Sequence, residues 1–254
     1  MNGAVYLDLD GTLLDPGGVL VPESLMTLAV VRDAGLRPVV LTGRSRWAAA
    51  AIARTLAIED VVCELGAVVL VDGRLQLAAP EAVPFPRAPL LAALEDVPAQ
   101  EHEPGTPRMS GLVLRSAMPA DDLTDELHAA GFGGWCCVDN GPSHLPLDDG
   151  RPSRVVHVLP SGTDKATGVR MHLQMRDLLP GACAVVGDST ADIACHAVVP
   201  RTFVVRSEDD EALAEAARLG LHVTASRGAA GALEAVRTVV TGGRSVPGPL
   251  TPQG

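Results

Sequence analysis

Short runs of apolar, largely β-branched residues alternate along this chain with longer helical stretches, the pattern of βαβ units around a parallel sheet. Gly3–Leu7 reads as a first strand that stops at Asp8. Pro22–Ala34 reads as a helix, with proline in its first turn and Gly35 just past its end. Pro38–Leu41 is a second strand, ending at Thr42, and Arg46–Leu56 is an Ala-rich helix. Val61–Cys63, Ala67–Val71 and Arg74–Leu77 read as strands, the last two joined by a hairpin turn at Asp72-Gly73.

The texture then changes. Prolines crowd the chain at Pro80, Pro84, Pro86 and Pro89 and continue at Pro98, Pro104 and Pro107, which marks a boundary. Beyond it a smaller mixed unit is predicted, with helices at Ala88–Glu95 and Ala120–Ala130, strands at Gly111–Arg115 and Trp135–Val138, and a turn at Asp139-Asn140-Gly141-Pro142. The alternating pattern returns with strands at Val155–Leu159, Ala182–Val186 and Thr202–Val205, and helices at Lys165–Asp177, Asp209–Leu219 and Ala229–Val240. The expected fold is α/β: a doubly wound, Rossmann-like parallel sheet formed by 1–80 and 156–241. A smaller α+β domain at 81–155 is inserted in it, and a flexible Gly/Pro-rich tail follows at 242–254.

Of the 254 residues, 47% are hydrophobic and only 2% aromatic, so the core is to be built from Ala, Val and Leu, which suits a helix-covered sheet. A formal net charge of −11 argues against nucleic acid or an anionic membrane as partner. Five cysteines without a CxxC pair read as reduced thiols of a cytoplasmic protein, and no signal peptide or membrane span is expected.

In doubly wound sheets ligands bind beyond the carboxyl ends of the strands. Asp8, Thr42 and Asp188 each follow directly on a predicted strand. In Asp8-Leu9-Asp10-Gly11-Thr12 two carboxylates flank one strand end. In a phosphoryl transfer one can attack phosphorus while the other carries the proton of the leaving oxygen. Thr42-Gly43-Arg44 offers a hydroxyl and an open backbone amide, equally compatible with a phosphate cradle and a helix cap. Lys165, the sole lysine of the chain, stands at a predicted helix start, where an ammonium can neutralise a phosphate. Gly187-Asp188-Ser189-Thr190-Ala191-Asp192 supplies two acids four residues apart, hard oxygen ligands of the kind Mg²⁺ takes.

In order and together, these four segments resemble the motifs of the haloacid dehalogenase-like phosphatases. The resemblance implies that Asp8 is the nucleophile, forming an aspartyl-phosphate, and that Asp10 is the general acid/base. Asp8, the Asp10 carbonyl, Asp188 and, in support, Asp192 would hold Mg²⁺; Thr42, Gly43 and Lys165 would bind the phosphate. An insertion between the second and third motifs, and Glu64-Leu65-Gly66-Ala67 in place of an "ENGA" segment, resemble the Cof-like, type IIB sugar phosphatases with a C2-type cap. Ala191 and Leu65 depart from that group, which usually has Asn at both places. The implied function is Mg²⁺-dependent hydrolysis of a small phosphorylated metabolite, a sugar phosphate or sugar derivative. Arg44, Arg108, Asp139, Asn140 and His144 are the polar candidates for contact with it. A phosphomutase of the same chemistry and a weakly catalytic phospho-ligand sensor are the alternatives. The oligomeric state is not legible.

Overall fold

A computed structural model describes residues 3–82 and 84–242, so the expectation for the tail falls, beyond Gly242, outside the described residues. In chain order the elements are β1 (Ala4–Asp8), α1 (Pro22–Asp33), β2 (Arg37–Leu41), α2 (Arg46–Thr55), β3 (Asp60–Cys63), β4 (Val68–Val71) and β5 (Arg74–Leu77). Next come α3 (Arg87–Ala93), β6 (Ala99–Glu101), β7 (Leu112–Ser116), α4 (Ala120–Ala129), β8 (Trp135–Pro142) and β9 (Arg154–Pro160). The chain ends with α5 (Lys165–Arg176), β10 (Ala184–Gly187), α6 (Thr190–Ile193), β11 (Thr202–Arg206), α7 (Asp210–Arg218), β12 (His222–Arg227) and α8 (Gly228–Val240). The fold is α/β, with a mostly parallel core sheet and an inserted antiparallel sheet of four strands. By contacts it divides into two compact units, one made of the chain up to Val39 and from Asp177 on, the other of Val40–Arg176.

In the first unit β1, β10, β11 and β12 pair parallel in that order, with Val5 opposite Ala184, Val185 opposite Thr202 and Phe203 opposite His222. The run Ala-Val-Tyr-Leu of β1 shows no alternation because every one of its residues is buried, as expected of a parallel strand covered on both faces. Helix α1 packs on α8, and α8 lies against β10, β11 and β12. The strand β12 has no counterpart in the sequence reading: its His-Val-Thr-Ala-Ser-Arg is mostly half-exposed and lacks an apolar run, and its pairing with β11 makes it a strand.

The second unit opens as the sequence predicts. β3, β4 and β5 run antiparallel, and Asp72 (φ 50°) and Gly73 (φ 76°) form the expected tight hairpin turn, both in the left-handed region. The inserted sheet has the order β6-β7-β9-β8, antiparallel throughout. Two expectations are corrected here. The strand β9, read as the return of the parallel core, pairs with β7 and β8 instead; an apolar run does not reveal its partner. Asp139-Asn140-Gly141-Pro142 is not a turn but the bulged end of β8: the register shifts between Asp139 and Pro142, Gly141 takes φ 97°, and Asp139 accepts the Gly141 N–H at 2.7 Å. The three-residue β6, too short and too polar to show a period, was not foreseen.

The inserted sheet has two different faces. Leu112, Leu114, Trp135, Cys137, Val156 and Val158 form one face and close an apolar cluster with Leu90 and Leu94 near α3 and Leu123 and Leu127 of α4. By the period of two along a strand, Val113, Val138 and His157, mutually opposite in register, belong to the other face.

Candidate active site

In the first unit the neighbouring strands β1 and β10 end in acids. Asp8 is the last residue of β1, 5% exposed, and Asp188 follows β10. Asp192, four residues further, is buried in α6. Asp8, Asp188 and Asp192 each present an oxygen, and these oxygens all lie within 4.8 Å of one another. The chain is forced into this arrangement by local structure. After Asp8 it folds back on itself, the Thr12, Leu13 and Leu14 N–H groups all donating to the Leu9 carbonyl. Gly11 has φ 76°, and a Cβ there would stand 2.2 Å from Asp188 Oδ2, so only glycine lets the two loops meet. Thr12 Oγ1 donates to Asp188 Oδ1 at 3.4 Å, and Ser207 Oγ donates to the Asp188 carbonyl at 3.2 Å. Ser189 caps α6 in a capping box: the Asp192 N–H donates to Ser189 Oγ and the Ser189 N–H donates to Asp192 Oδ2 at 3.2 Å, and the Ser189 hydroxyl donates to the same Oδ2 at 2.6 Å. Gly187 leaves room for Asp192, whose Cγ lies 2.1 Å from where its Cβ would be. Asp10 is exposed. Ala191, at the departure from the family pattern, is buried and lies outside the acidic set.

Three carboxylate oxygens gathered mostly out of water repel one another unless a cation joins them. The donor set fits a divalent metal site: hard oxygens only, no histidine or cysteine among them, and close enough to share one ion.

In the second unit Thr42 follows β2 and is fully buried. Its N–H donates to the Val62 carbonyl, its carbonyl accepts from Leu65 N–H, and its Oγ1 accepts from Arg44 N–H at 3.2 Å. Gly43 is closely approached: a Cβ there would be 2.9 Å from His157 Nε2 and 3.1 Å from Asn140 Nδ2. Arg108 Nη1 donates to the Gly43 carbonyl at 2.9 Å. Ser45 caps α2.

Lys165 is 1% exposed and is the first residue of α5. Asp164 accepts the Thr167 N–H at 2.7 Å, which starts the helix there. Two glycines bring the Glu64-Leu65-Gly66 turn against that helix start. A Cβ on Gly66 (φ 94°) would lie 1.9 Å from the Asp164 carbonyl oxygen, and one on Gly168 2.6 Å from Gly66 Cα.

Glu64, named in the sequence only as part of the Glu64-Leu65-Gly66-Ala67 segment, and His157 are residues to which sequence reasoning gave no site role. Glu64 is 1% exposed, in left-handed backbone (φ 49°); its carboxylate accepts the N–H groups of Arg46, Met109 and Ser110 at 2.9–3.2 Å. His157 is 2% exposed on β9. Burial first, then the positive charges of Arg108, Lys165 and His102, hold its pKa well below the ordinary histidine value, so the ring is neutral. A charged-type residue inside the apolar run Val-Val-His-Val-Leu was the one available signal. Of the other sequence candidates, Asp139 is bound by the Arg154 guanidinium through both carboxylate oxygens, Asn140 stands against Gly43, Arg44 is half-buried, and His144 is exposed in the loop after β8.

The family model for haloacid dehalogenase-like hydrolases matches residues 5–80. A phosphoglycolate phosphatase of Pyrobaculum neutrophilum is 29% identical over 246 residues, covering 96% of this chain and 98% of its own. The sucrose-phosphatase of Synechocystis sp. PCC6803, solved with sucrose and phosphate, shares the fold with TM-score 0.70 at 18% identity, covering 93% of this chain and 97% of that one. The subclass IIB sugar phosphatase BT4131 does so with TM-score 0.65 at 14% identity, over 94% of this chain and 99% of its own. The chain is thus similar to the haloacid dehalogenase-like hydrolases over residues 5–80 and to a phosphoglycolate phosphatase over nearly its whole length, and it shares the fold of the sucrose-phosphatase and of the subclass IIB sugar phosphatase.

Proposed function

We propose that the protein is a Mg²⁺-dependent phosphomonoesterase of small phosphorylated metabolites, working through an aspartyl-phosphate on Asp8. The observation that carries this reading is the convergence of Asp8, Asp188 and Asp192 on one small volume at the ends of adjacent parallel strands. An Asp8 carboxylate oxygen attacks phosphorus, and the bond to the ester oxygen breaks. Asp10, exposed and two residues on, gives its proton to the departing alkoxide. The same carboxylate then takes a proton from the water that cleaves the aspartyl-phosphate, which returns Asp8 and releases inorganic phosphate. Thr42, the Gly43 backbone and Lys165 hold the phosphoryl oxygens. Asp8, Asp188 and the Asp10 carbonyl, with Asp192 in support, would hold Mg²⁺, which supplies positive charge against the repulsion between carboxylate and phosphate.

The substrate is small and free in solution. The cap and the likeness to sugar phosphatases support a sugar phosphate; the full-length relative named as a phosphoglycolate phosphatase supports a phosphorylated small acid. We place the protein in the cytoplasm, in keeping with its five cysteines; among the described residues no helix is long and apolar enough to cross a membrane.

Release of inorganic phosphate from a panel of hexose, aminosugar and disaccharide phosphates, nucleotides and phosphoglycolate, with Mg²⁺ or EDTA, tests the reading. Release that needs Mg²⁺ and falls by at least about 10³-fold in Asp8→Asn is expected, as for loss of a nucleophile. Turnover without phosphate release would point to a phosphomutase, and binding without turnover to a sensor.

A further inference from the structure

Around Gly43 the second unit gathers donors for which the proposed chemistry has no use. Arg108 reaches Gly43 from the loop before β7, 65 positions along the chain, and among the described residues its guanidinium makes one hydrogen bond, from Nη1 to the Gly43 carbonyl. The same glycine is met by Asn140 Nδ2 from β8 and by His157 Nε2 from β9. Three polar side chains thus converge on the backbone of the segment that the phosphatase reading assigns to the phosphate.

The charge of Arg108 is met by acids at a distance and by none in an ion pair among the described residues. Glu64 and Glu103 are the acids that bear on it. Both oxygens of Glu64 are occupied by backbone N–H groups of Arg46, Met109 and Ser110, and Glu103 is exposed. No ion pair joins Arg108 to an acid among the described residues. Burial works against its charged form and pulls its pKa below the ordinary arginine value. A half-buried guanidinium that no acid meets in an ion pair among the described residues is a place for an anion to bind. His157 and Asn140 add hydrogen-bonding groups but no charge, which suits a singly charged carboxylate better than a second phosphate.

We propose that Arg108, flanked by Asn140 and His157, binds a carboxylate carried by the substrate, so that the enzyme selects phosphorylated small acids over neutral phosphate esters of similar size. The inference rests on the phosphatase reading and deepens it. While Nη1 stays on the Gly43 carbonyl, Nε and Nη2 present the parallel pair of donors that a carboxylate accepts side-on. Because Arg108 is tied to the backbone of Gly43 itself, a carboxylate on its guanidinium and a phosphate on the Thr42-Gly43 segment would be neighbours, which favours a short acid.

The experiment measures kcat/KM for phosphoglycolate and for propyl phosphate in the wild type, Arg108→Gln and Arg108→Lys. It is paired with calorimetric binding of their non-hydrolysable counterparts, 3-phosphonopropionate and butylphosphonate. The wild type should prefer the acid by roughly 10–100-fold, mainly through KM, as expected for a charge-assisted hydrogen-bonded pair. Arg108→Gln should bring the ratio close to one, and Arg108→Lys should keep part of it. A ratio that survives Arg108→Gln while both rates fall would show that Arg108 only props the Gly43 loop, and would overturn the proposal, as would a wild type without preference. If no phosphate ester is hydrolysed at all, the phosphatase reading fails by itself. The two phosphonates then still decide the carboxylate question: equal affinity overturns it, and a preference lost in Arg108→Gln upholds it. Should Arg108→Gln not fold, Arg108→Lys carries the comparison, with an undiminished ratio as the overturning result.

Discussion

Glycines and one buried acid set the shape of the candidate site at the residue scale. Gly11, Gly43 and Gly66 stand where a Cβ would run into Asp188, His157 and the Asp164 carbonyl, so each loop comes close only because its side chain is missing. Leu65 pays for its place differently: at φ 54° it sits in backbone that asparagine tolerates better, and it offsets that strain by burying its side chain completely. Glu64 beside it collects three backbone N–H groups in a site closed to water. Glu64→Ala removes the acceptor and leaves those donors unsatisfied, a loss of about 3 kcal/mol at the usual cost of orphaned buried groups. The expected outcome is a melting temperature lower by roughly 5–10 °C in thermal unfolding. An unchanged melting temperature would mean that water reaches the three amides.

At the scale of elements, β3, α5 and the β4–β5 turn are joined by one ionic network. Asp60, fully buried, accepts hydrogen bonds from His172 Nε2 and from Arg176 Nε and Nη2, and Arg176 also holds Asp72. Burial of Asp60 opposes its ionisation, but the hydrogen bonds and charges of His172 and Arg176 outweigh it and leave its pKa below the ordinary carboxylate value. A carboxyl with a depressed folded pKa adds stability above its unfolded pKa of about 4, and that contribution is lost as the pH falls through the folded pKa. Asp60→Asn should therefore lower the melting temperature by roughly 5–10 °C at neutral pH, by the cost of breaking a buried pair. The gap between mutant and wild type should narrow below about pH 4. A gap that stays constant from pH 7 to pH 3 would show that the charge of Asp60 contributes nothing.

For the whole molecule the balance of charge decides what can bind. A chain with net charge −11 that gathers Asp8, Asp188 and Asp192 within 4.8 Å has a folded state strained by its own carboxylates, and a divalent cation relieves that strain. Because the cluster is assembled from distant parts of the chain, the ion should bind the folded form and hardly the unfolded one. Mg²⁺ at about a hundred times its dissociation constant should add about 2.7 kcal/mol, raising the melting temperature by roughly 5–10 °C. Asp188→Asn should abolish the rise. A rise of equal size in that variant would place the ion elsewhere.

Much of this was legible in the sequence because it is local. The strand-terminal positions of Asp8, Thr42 and Asp188, the helix start at Lys165 and the hairpin at Asp72-Gly73 follow from apolar periodicity, caps and turn chemistry, each written within a few residues. What periodicity does not encode is the partner. The apolar run of β9 fits a parallel core strand as well as the antiparallel sheet it joins, and β6 and β12, polar and half-exposed, are strands only through the neighbours they pair with. The bulge that carries Asp139 and Asn140 along β8, the hydrogen bond from Arg108 to Gly43 and the approach of His157 to the same glycine join positions that lie far apart along the chain. Such contacts arise when elements pack and side chains with no local pattern find their complements. The strand ends and the helix start that carry the residues proposed for phosphoryl transfer were thus determined by the sequence alone, and the groups arranged around Gly43 were decided by the tertiary structure.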